Sequence, residues 1–252
     1  MLSMPAVSRD IAIHKLVNIC PVNSSVKLPT IHGFVNAFDV RSGEPLFGLD
    51  GPTVTGRRTA AVSMLGIESL LRWKLKRIAV IGTGAQASNH IQAIAALFPG
   101  TQVYVQGMDS GQAREFCRAN HQAAIELIPV VDGEMPSDVD VVITVTTSKS
   151  PVYAQPASAQ RLIIAVGAFT PDAAEIAPVT ILGSEIFVDD PSGAKHEAGD
   201  LIQAGTDWSK VKSLSSVFDA EPPSGVPILL KSVGCAAWDL AACRVARQML
   251  AS

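Results

Sequence analysis

The stretch Gly82-Thr83-Gly84-Ala85-Gln86 is the part of this sequence whose residue types and spacing most plainly suit chemistry. It follows the short apolar run Arg77–Ile81 and precedes a helix predicted over 85–97. In the pattern Gly-x-Gly-x-x-Ala, the first glycine permits a tight turn and the second lets the backbone approach a pyrophosphate. The small third residue, Ala87, lets helix and strand pack closely. Free amides and the positive end of the helix then hold the anion. The string alone is weak, and its strand–turn–helix context is what makes dinucleotide binding the expectation. The alternative is a tight turn of an α/β protein that binds something else.

NAD(P)H is therefore the expected cofactor, with NADH versus NADPH left open. An acid about 20 residues further on normally accepts the ribose hydroxyls of NAD. Here the second strand ends Tyr104-Val105-Gln106-Gly107-Met108, with Asp109 slightly late. Gly107 and Met108 are the candidate contacts at that end. Neither a well-placed acid nor an arginine accompanies them, and Asp109 reads equally well as an ordinary helix N-cap.

The elements that must position this turn are legible in the hydrophobic pattern. The chain has 252 residues, 48% of them hydrophobic and only 5% aromatic. That balance suits buried parallel strands covered by helices. Short strands are predicted over 11–19, 31–40 and 45–49, with a hairpin turn at 41–44. A helix starts at Thr53 or Thr55. Further strands are expected at 77–82, 102–106, 139–145, 162–166 and 185–188, with helices over 85–97 and 111–120 between the first of them. A final helix runs over 232–250, and proline-rich 220–227 reads as a loop. The fold class is α/β, a doubly wound parallel sheet (Rossmann) with a second, discontinuous α+β domain for substrate and dimerisation. The expected division is 1–75 for the first part of that second domain, 76–190 for the dinucleotide domain, and 191–252 for a connection and return helix.

Composition also excludes some classes of function. A formal charge of −3 and no run of five like charges argue against a nucleic-acid partner. No stretch of about 18 apolar residues offers a membrane span. Met1-Leu2-Ser3-Met4-Pro5 lacks the design of a signal peptide. The four cysteines, Cys20, Cys117, Cys235 and Cys243, form no pair with metal-ligand spacing. They read as thiols in a reducing compartment, so the expectation is a cytoplasmic protein with no metal site.

Several side chains outside the turn are candidates. Lys15 could be counter-ion to a carboxylate and a proton donor as well. Its bland reading is an exposed lysine on an edge strand. Arg58 lies near the start of a long helix, where a cation opposes the helix dipole. That local cost favours a role gripping a carboxylate or pyrophosphate. Thr146 follows the fourth strand of the sheet, where the switch-point rule puts the adenosine half of a dinucleotide. Val166 to Ala168 ends the next strand and would back the nicotinamide. His90, one turn into its helix, is either a brace for the turn or a packed histidine. Glu197 and Asp200 read as structural, and Arg57 as surface.

A resemblance is carried by Asp50-Gly51-Pro52-Thr53-Val54-Thr55-Gly56-Arg57-Arg58-Thr59-Ala60-Ala61 and by the turn with Gln86 and His90 in Gly-x-Gly-x-Gln-x-x-x-His. Ala165-Val166-Gly167-Ala168-Phe169-Thr170-Pro171, Glu197-Ala198-Gly199-Asp200-Leu201 and Lys231-Ser232-Val233-Gly234 carry it further. Together these segments resemble the ornithine cyclodeaminase and mu-crystallin family. Within it, Thr146-Thr147-Ser148 with the glycine–alanine–phenylalanine segment looks closest to the bacterial Δ1-pyrroline-2-carboxylate/Δ1-piperideine-2-carboxylate reductases. The resemblance implies NAD(P)H-dependent reduction of a small cyclic imino acid to L-proline or L-pipecolate, by a homodimer built through its substrate domains. It implies that Lys15 contacts the substrate carboxylate and delivers a proton, with Arg58 and Val233 also at the substrate. Thr30 and Ser232 would lie near the nicotinamide.

Two departures from the family stand out. True cyclodeaminases carry a catalytic aspartate where this chain has Phe169, and an apolar ring cannot relay protons. Family members also open with further elements, including an arginine for the substrate carboxylate, and the chain as written starts after them. The rival expectations are alanine dehydrogenation or ornithine cyclodeamination on the same scaffold, or a non-catalytic NAD(P)H binder. The preferred ring size stays open.

Overall fold

The structure is a computed structural model that describes residues 1–26, 28–131, 135–221 and 223–250. Pro222, within the loop expected over 220–227, lies outside the described residues. The chain divides into two compact units, Met1–Thr59 with Cys235–Ser252, and Ala60–Gly234.

The first unit is a four-stranded antiparallel sheet in the order β1 (Leu2–Val7), β2 (Ala12–Ile19), β3 (Ile31–Phe38), β4 (Pro45–Asp50), joined by helix α7 (Ala236–Leu250). Edge strand β1 was not expected from the sequence. It carries Pro5, which lacks an N–H and is tolerated only where that side of the strand needs no partner. Strand β2 alternates cleanly, turning Ile13, Lys15 and Val17 inward. Ile11, Ile13, Val35, Ala37 and Val54 form the core with Leu240 and Cys243 of α7. Helix α1 (Gly51–Leu70) starts earlier than Thr53. Asp50 caps it, accepting from Thr53 N at 2.9 Å and Thr53 Oγ1 at 2.6 Å. Thr55, the other expected start, donates from inside the helix to Gly51 O at 2.8 Å.

The second unit is an eight-stranded, all-parallel sheet. Its strands are β5 (Arg77–Ile81), β6 (Gln102–Gln106), β7 (Glu126–Pro129), β8 (Val141–Thr144), β9 (Leu162–Ala165), β10 (Glu185–Val188), β11 (Lys212–Ser213) and β12 (Ile228–Lys231). They lie in the order β11-β10-β12-β9-β8-β5-β6-β7. Helices α2 (Ala85–Leu97) and α3 (Ser110–Ala119) connect β5 to β6 and β6 to β7, and the short helices α4 (Pro178–Leu182), α5 (Pro191–Glu197) and α6 (Gly199–Gln203) flank β10 in sequence. β8, β9 and β12 are buried at every residue, as strands covered on both faces must be. Chain order reverses at β5, so the switch point lies between β5 and β8, where open α/β sheets bind ligands.

The sheet corrects the expected limits of the dinucleotide domain. It does not end at 188, because β12 inserts between β9 and β10 and takes the chain back into the sheet. The unit boundary accordingly falls at Gly234 and not at 190, and residues 232–235 precede the final helix. At the other boundary α1 gives its first residues to one unit and its last to the other, so the division is at Thr59 and not at 75.

Candidate active site

The glycine turn has the geometry a diphosphate needs. Gly82 has φ +123°, a conformation that side chains rarely adopt, and a Cβ there would meet Val145 O at 2.9 Å. Gly84 is the N-cap of α2 and provides no side-chain oxygen to the first-turn amides. A Cβ at Gly84 would have no atom within 4 Å, so the approach to those amides is open. Thr83 is half-buried and Ala85 exposed, while Gln86 Oε1 is buried without a hydrogen-bond partner among the described residues. Bare amides at a helix N-terminus with an open approach fit a dinucleotide pyrophosphate.

His90 braces this turn from behind. Its Nδ1 lies 2.7 Å from Gln86 O and must donate to it, which leaves Nε2 to accept from Ser63 Oγ at 2.9 Å. Burial pushes its pKa down to about 4, so the ring is neutral, as that pattern requires. The two readings of His90 were therefore not exclusive: it is packed and it fixes the turn.

Strand ends of the sheet are tied down by two carboxylates that sequence reasoning missed. Glu175 is fully buried and accepts from Thr144 Oγ1, Thr146 N, Thr146 Oγ1, Gly167 N and Ala168 N. It thereby fastens the end of β8 to the end of β9. Gly167 is essential to that closure, since a Cβ there would lie 1.9 Å from Thr146 O. Asp189 does the same after β12, accepting from Ser232 Oγ at 2.8 Å, Val233 N at 2.9 Å and Gly234 N at 2.9 Å. Asp200 is structural, as expected. It accepts from Ile176 N at 2.9 Å and from Glu175 N, and pairs with buried Lys231 at 3.0 Å. Glu197 is exposed at the end of its helix.

The other candidates in this unit are distributed as follows. Thr146 is half-buried, with its amide and hydroxyl both given to Glu175. Val166 and Ala168 are buried at the end of β9, and Phe169 beyond them is 41% exposed. Ser232 is buried and Val233 half-buried. Met108 is 88% exposed beside half-buried Gly107, and its amide donates to Gln112 Oε1 at 3.0 Å. Asp109 caps α3 through Gln112 N at 2.8 Å, so the capping alternative holds for it.

The first unit holds a buried ion cluster. Lys15 is not an exposed edge lysine: it is 1% exposed, and its Nζ donates to Asp239 Oδ1 at 2.9 Å. Arg58 Nε lies 3.3 Å from the same oxygen. Asp239 Oδ2 has no hydrogen-bond partner among the described residues. Burial lowers the pKa of Lys15 most and the Arg58 charge lowers it further, while Asp239 opposes both. Asp239 was not anticipated, because its partner is 224 residues away. A signal was present nonetheless. Asp239, Leu240 and Cys243 share one face of α7, and a charge on an apolar face implies a buried counter-charge. Thr30, by contrast, is exposed, and its carbonyl accepts from Cys20 N at 2.8 Å.

A family model described as "Ornithine cyclodeaminase/mu-crystallin family" matches residues 1–252, the whole chain. The chain belongs to the ornithine cyclodeaminase/mu-crystallin family. Among curated members of the family, it is 53% identical over 252 residues to the Δ1-pyrroline-2-carboxylate/Δ1-piperideine-2-carboxylate reductase of Azospirillum brasilense. It is 54% identical over 252 residues to Δ1-pyrroline-2-carboxylate reductase 1 of Burkholderia multivorans. Each match covers 100% of this chain and 81% of the relative. Among solved structures of the family, the Thermococcus litoralis Δ1-pyrroline-2-carboxylate reductase in complex with NADH and L-proline superposes with a TM-score of 0.84. That match covers 98% of this chain and 85% of the other at 23% identity, which shows a shared fold.

Proposed function

We propose that this protein reduces small cyclic ketimines with NAD(P)H, taking Δ1-pyrroline-2-carboxylate to L-proline and Δ1-piperideine-2-carboxylate to L-pipecolate. The observation that carries this reading is the 53–54% identity, over the full chain, to reductases of these imines. The residues support it. The glycine turn suits a dinucleotide, and Lys15 and Arg58 suit a substrate that is a carboxylate.

The bound nicotinamide would supply hydride; the chain's own groups do the rest. The amides after Gly82 and Gly84 hold the diphosphate, with Thr83, Ala85 and Gln86 around it and Gly107 and Met108 toward the adenosine end. Thr146 serves the adenosine half, and Val166, Ala168 and Ser232, with Thr30, serve the nicotinamide end. Glu175 and Asp189 keep the loops after β8, β9 and β12 from relaxing. Lys15 and Arg58 hold the substrate carboxylate, Arg58 through its fork, and Val233 contributes an apolar contact. A protonated C=N accepts hydride far more readily than a neutral one, so a proton must be at hand on the imine nitrogen. Lys15, buried and lowered in pKa, is the group to give it.

The finer points of the reading concern assembly and place. We take the active form to be a homodimer. The face of the first unit's sheet opposite its core carries Leu16, Phe34 and Leu46, with Phe34 66% exposed. All four cysteines are free, in keeping with a cytoplasmic enzyme. Among the described residues no helix is long and apolar enough to cross a membrane.

The test follows absorbance of the reduced nicotinamide with each imine and each cofactor. Oxidation of NADH or NADPH accompanied by stoichiometric L-proline or L-pipecolate is expected. Oxidation with pyruvate and ammonia in place of the imines would mark an alanine dehydrogenase. Quenching of nicotinamide fluorescence with no oxidation by any imine would mark a binder.

A further inference from the structure

We propose that Asp239 is a positioning residue of this reaction, holding the Lys15 ammonium in place and charged so that it is ready to protonate the imine nitrogen. The inference rests on the ketimine-reductase reading and deepens it. One oxygen, Asp239 Oδ1, faces both Lys15 Nζ at 2.9 Å and Arg58 Nε at 3.3 Å, and the three side chains are 0%, 2% and 10% exposed for Asp239, Lys15 and Arg58. A lysine so removed from water, beside an arginine, sheds its proton unless an anion faces it. Asp239 is that anion. Strands β1 and β3 set Met4 and Val35 across from Lys15, and neither titrates. Helix α7 adds Cys243, whose thiol burial and the Asp239 charge push up to about 11, so it stays neutral.

Asp239 is also not used up by the fold. Its Oδ2 accepts no hydrogen bond among the described residues, whereas Glu175 and Asp189 accept on both oxygens and Asp200 Oδ2 is paired with Lys231 at 3.0 Å. In the step itself the proton leaves Nζ for the lone pair of the imine nitrogen, and the N–H bonding pair remains on Nζ. Hydride arriving at the carbon moves the C=N π pair onto nitrogen. Solvent then returns a proton to Lys15, and Asp239 favours its return.

The signs follow directly. With Lys15 acting as an acid, kcat/KM declines as pH rises through its pKa. Asp239→Asn removes the groups that raise that pKa, so the alkaline limb moves to lower pH. Arg58→Gln removes a neighbouring like charge, so the limb moves to higher pH, with a raised KM. Opposite displacements from two neighbours of one lysine are not what general loosening of the unit produces.

The decisive experiment records pH profiles of kcat/KM for the wild type and these two variants, alongside NADH affinity by fluorescence. Asp239→Asn is expected to lose on the order of tenfold or more in turnover, shift its limb downward, and bind NADH as the wild type does. Asp239→Glu is expected to keep the wild-type limb with a reduced kcat. An Asp239→Asn enzyme with the wild-type limb and turnover overturns the proposal. Should that variant fail to fold by circular dichroism, a limb displaced downward in Asp239→Glu overturns it instead. Full activity in Lys15→Met would sink the parent reading, whereas an inactive Lys15→Met beside an unaltered Asp239→Asn sinks only this inference.

Discussion

Glu175 in the second unit and Asp239 in the first are both carboxylates without exposed surface, yet they are satisfied in opposite ways. Glu175 accepts five hydrogen bonds, three of them from backbone amides at two strand ends. Asp239 puts one oxygen before two cations and leaves the other without a partner among the described residues. A saturated carboxylate has no capacity left for a ligand and defines geometry. A half-used one among buried cations keeps the charge balance of its cluster adjustable. On the proposed reading, the second unit is the frame for the dinucleotide turn, and the first unit carries the groups whose protonation matters.

The largest effect that would break this contrast is on stability. Replacing Glu175 by Gln turns an N–H toward donors that need an acceptor, and should cost about 3–5 kcal/mol. Asp239→Asn puts its amide where no donor waits, and Lys15 can shed its proton in response, so about 1–3 kcal/mol is expected. Urea denaturation of both variants measures the difference. Equal losses would mean that Asp239 is as much a brace as Glu175.

A second effect sharpens the picture of the frame. The pKa of His90 falls from 6.5 to about 4 on burial, so between those values the unfolded chain binds the extra proton. Stability from this site is fully present above about pH 6.5 and drains away as pH falls toward 4. The full span is worth about 3 kcal/mol. His90→Gln should flatten that part of the slope between pH 7 and pH 5, and an unchanged slope would mean that the ring is not buried neutral.

Smaller still is the effect of Gly82→Ala. A side chain at φ +123° against Val145 O strains the turn by roughly 1–3 kcal/mol. NADH affinity should fall by on the order of tenfold, with the pH profile of turnover unmoved. Titration of nicotinamide fluorescence checks it, and affinity equal to the wild type would show that the turn tolerates a Cβ.

What the sequence made legible follows the reach of each signal. Strand β5 was readable to within one residue, and the turn and α2 at their true limits, because a buried apolar run, two glycines and a helical period all lie within about 20 residues. Strand β12 was not, since four apolar residues after a proline-rich stretch acquire their place only by pairing with β9 and β10. Strand β7, with Pro129 at its end, and β1, with Pro5 inside it, carry residues that argue against a strand. Lys15 and Arg58 were found as candidates from charge chemistry and family resemblance. Their meeting at Asp239 was not, because tertiary folding alone joins β2 to a helix more than 200 residues on. Glu175 sits in a loop whose local sequence gives no hint that five donors converge on it.

The central claim is that one unit grips the cofactor and the other supplies the charge chemistry. Turnover and NADH dissociation constant measured together on Lys15→Met test it most directly. Turnover with the cyclic imine should fall by about 10²–10⁴-fold, while NADH binds as tightly as to the wild type. Wild-type turnover, or a loss explained wholly by weakened NADH binding, would contradict it.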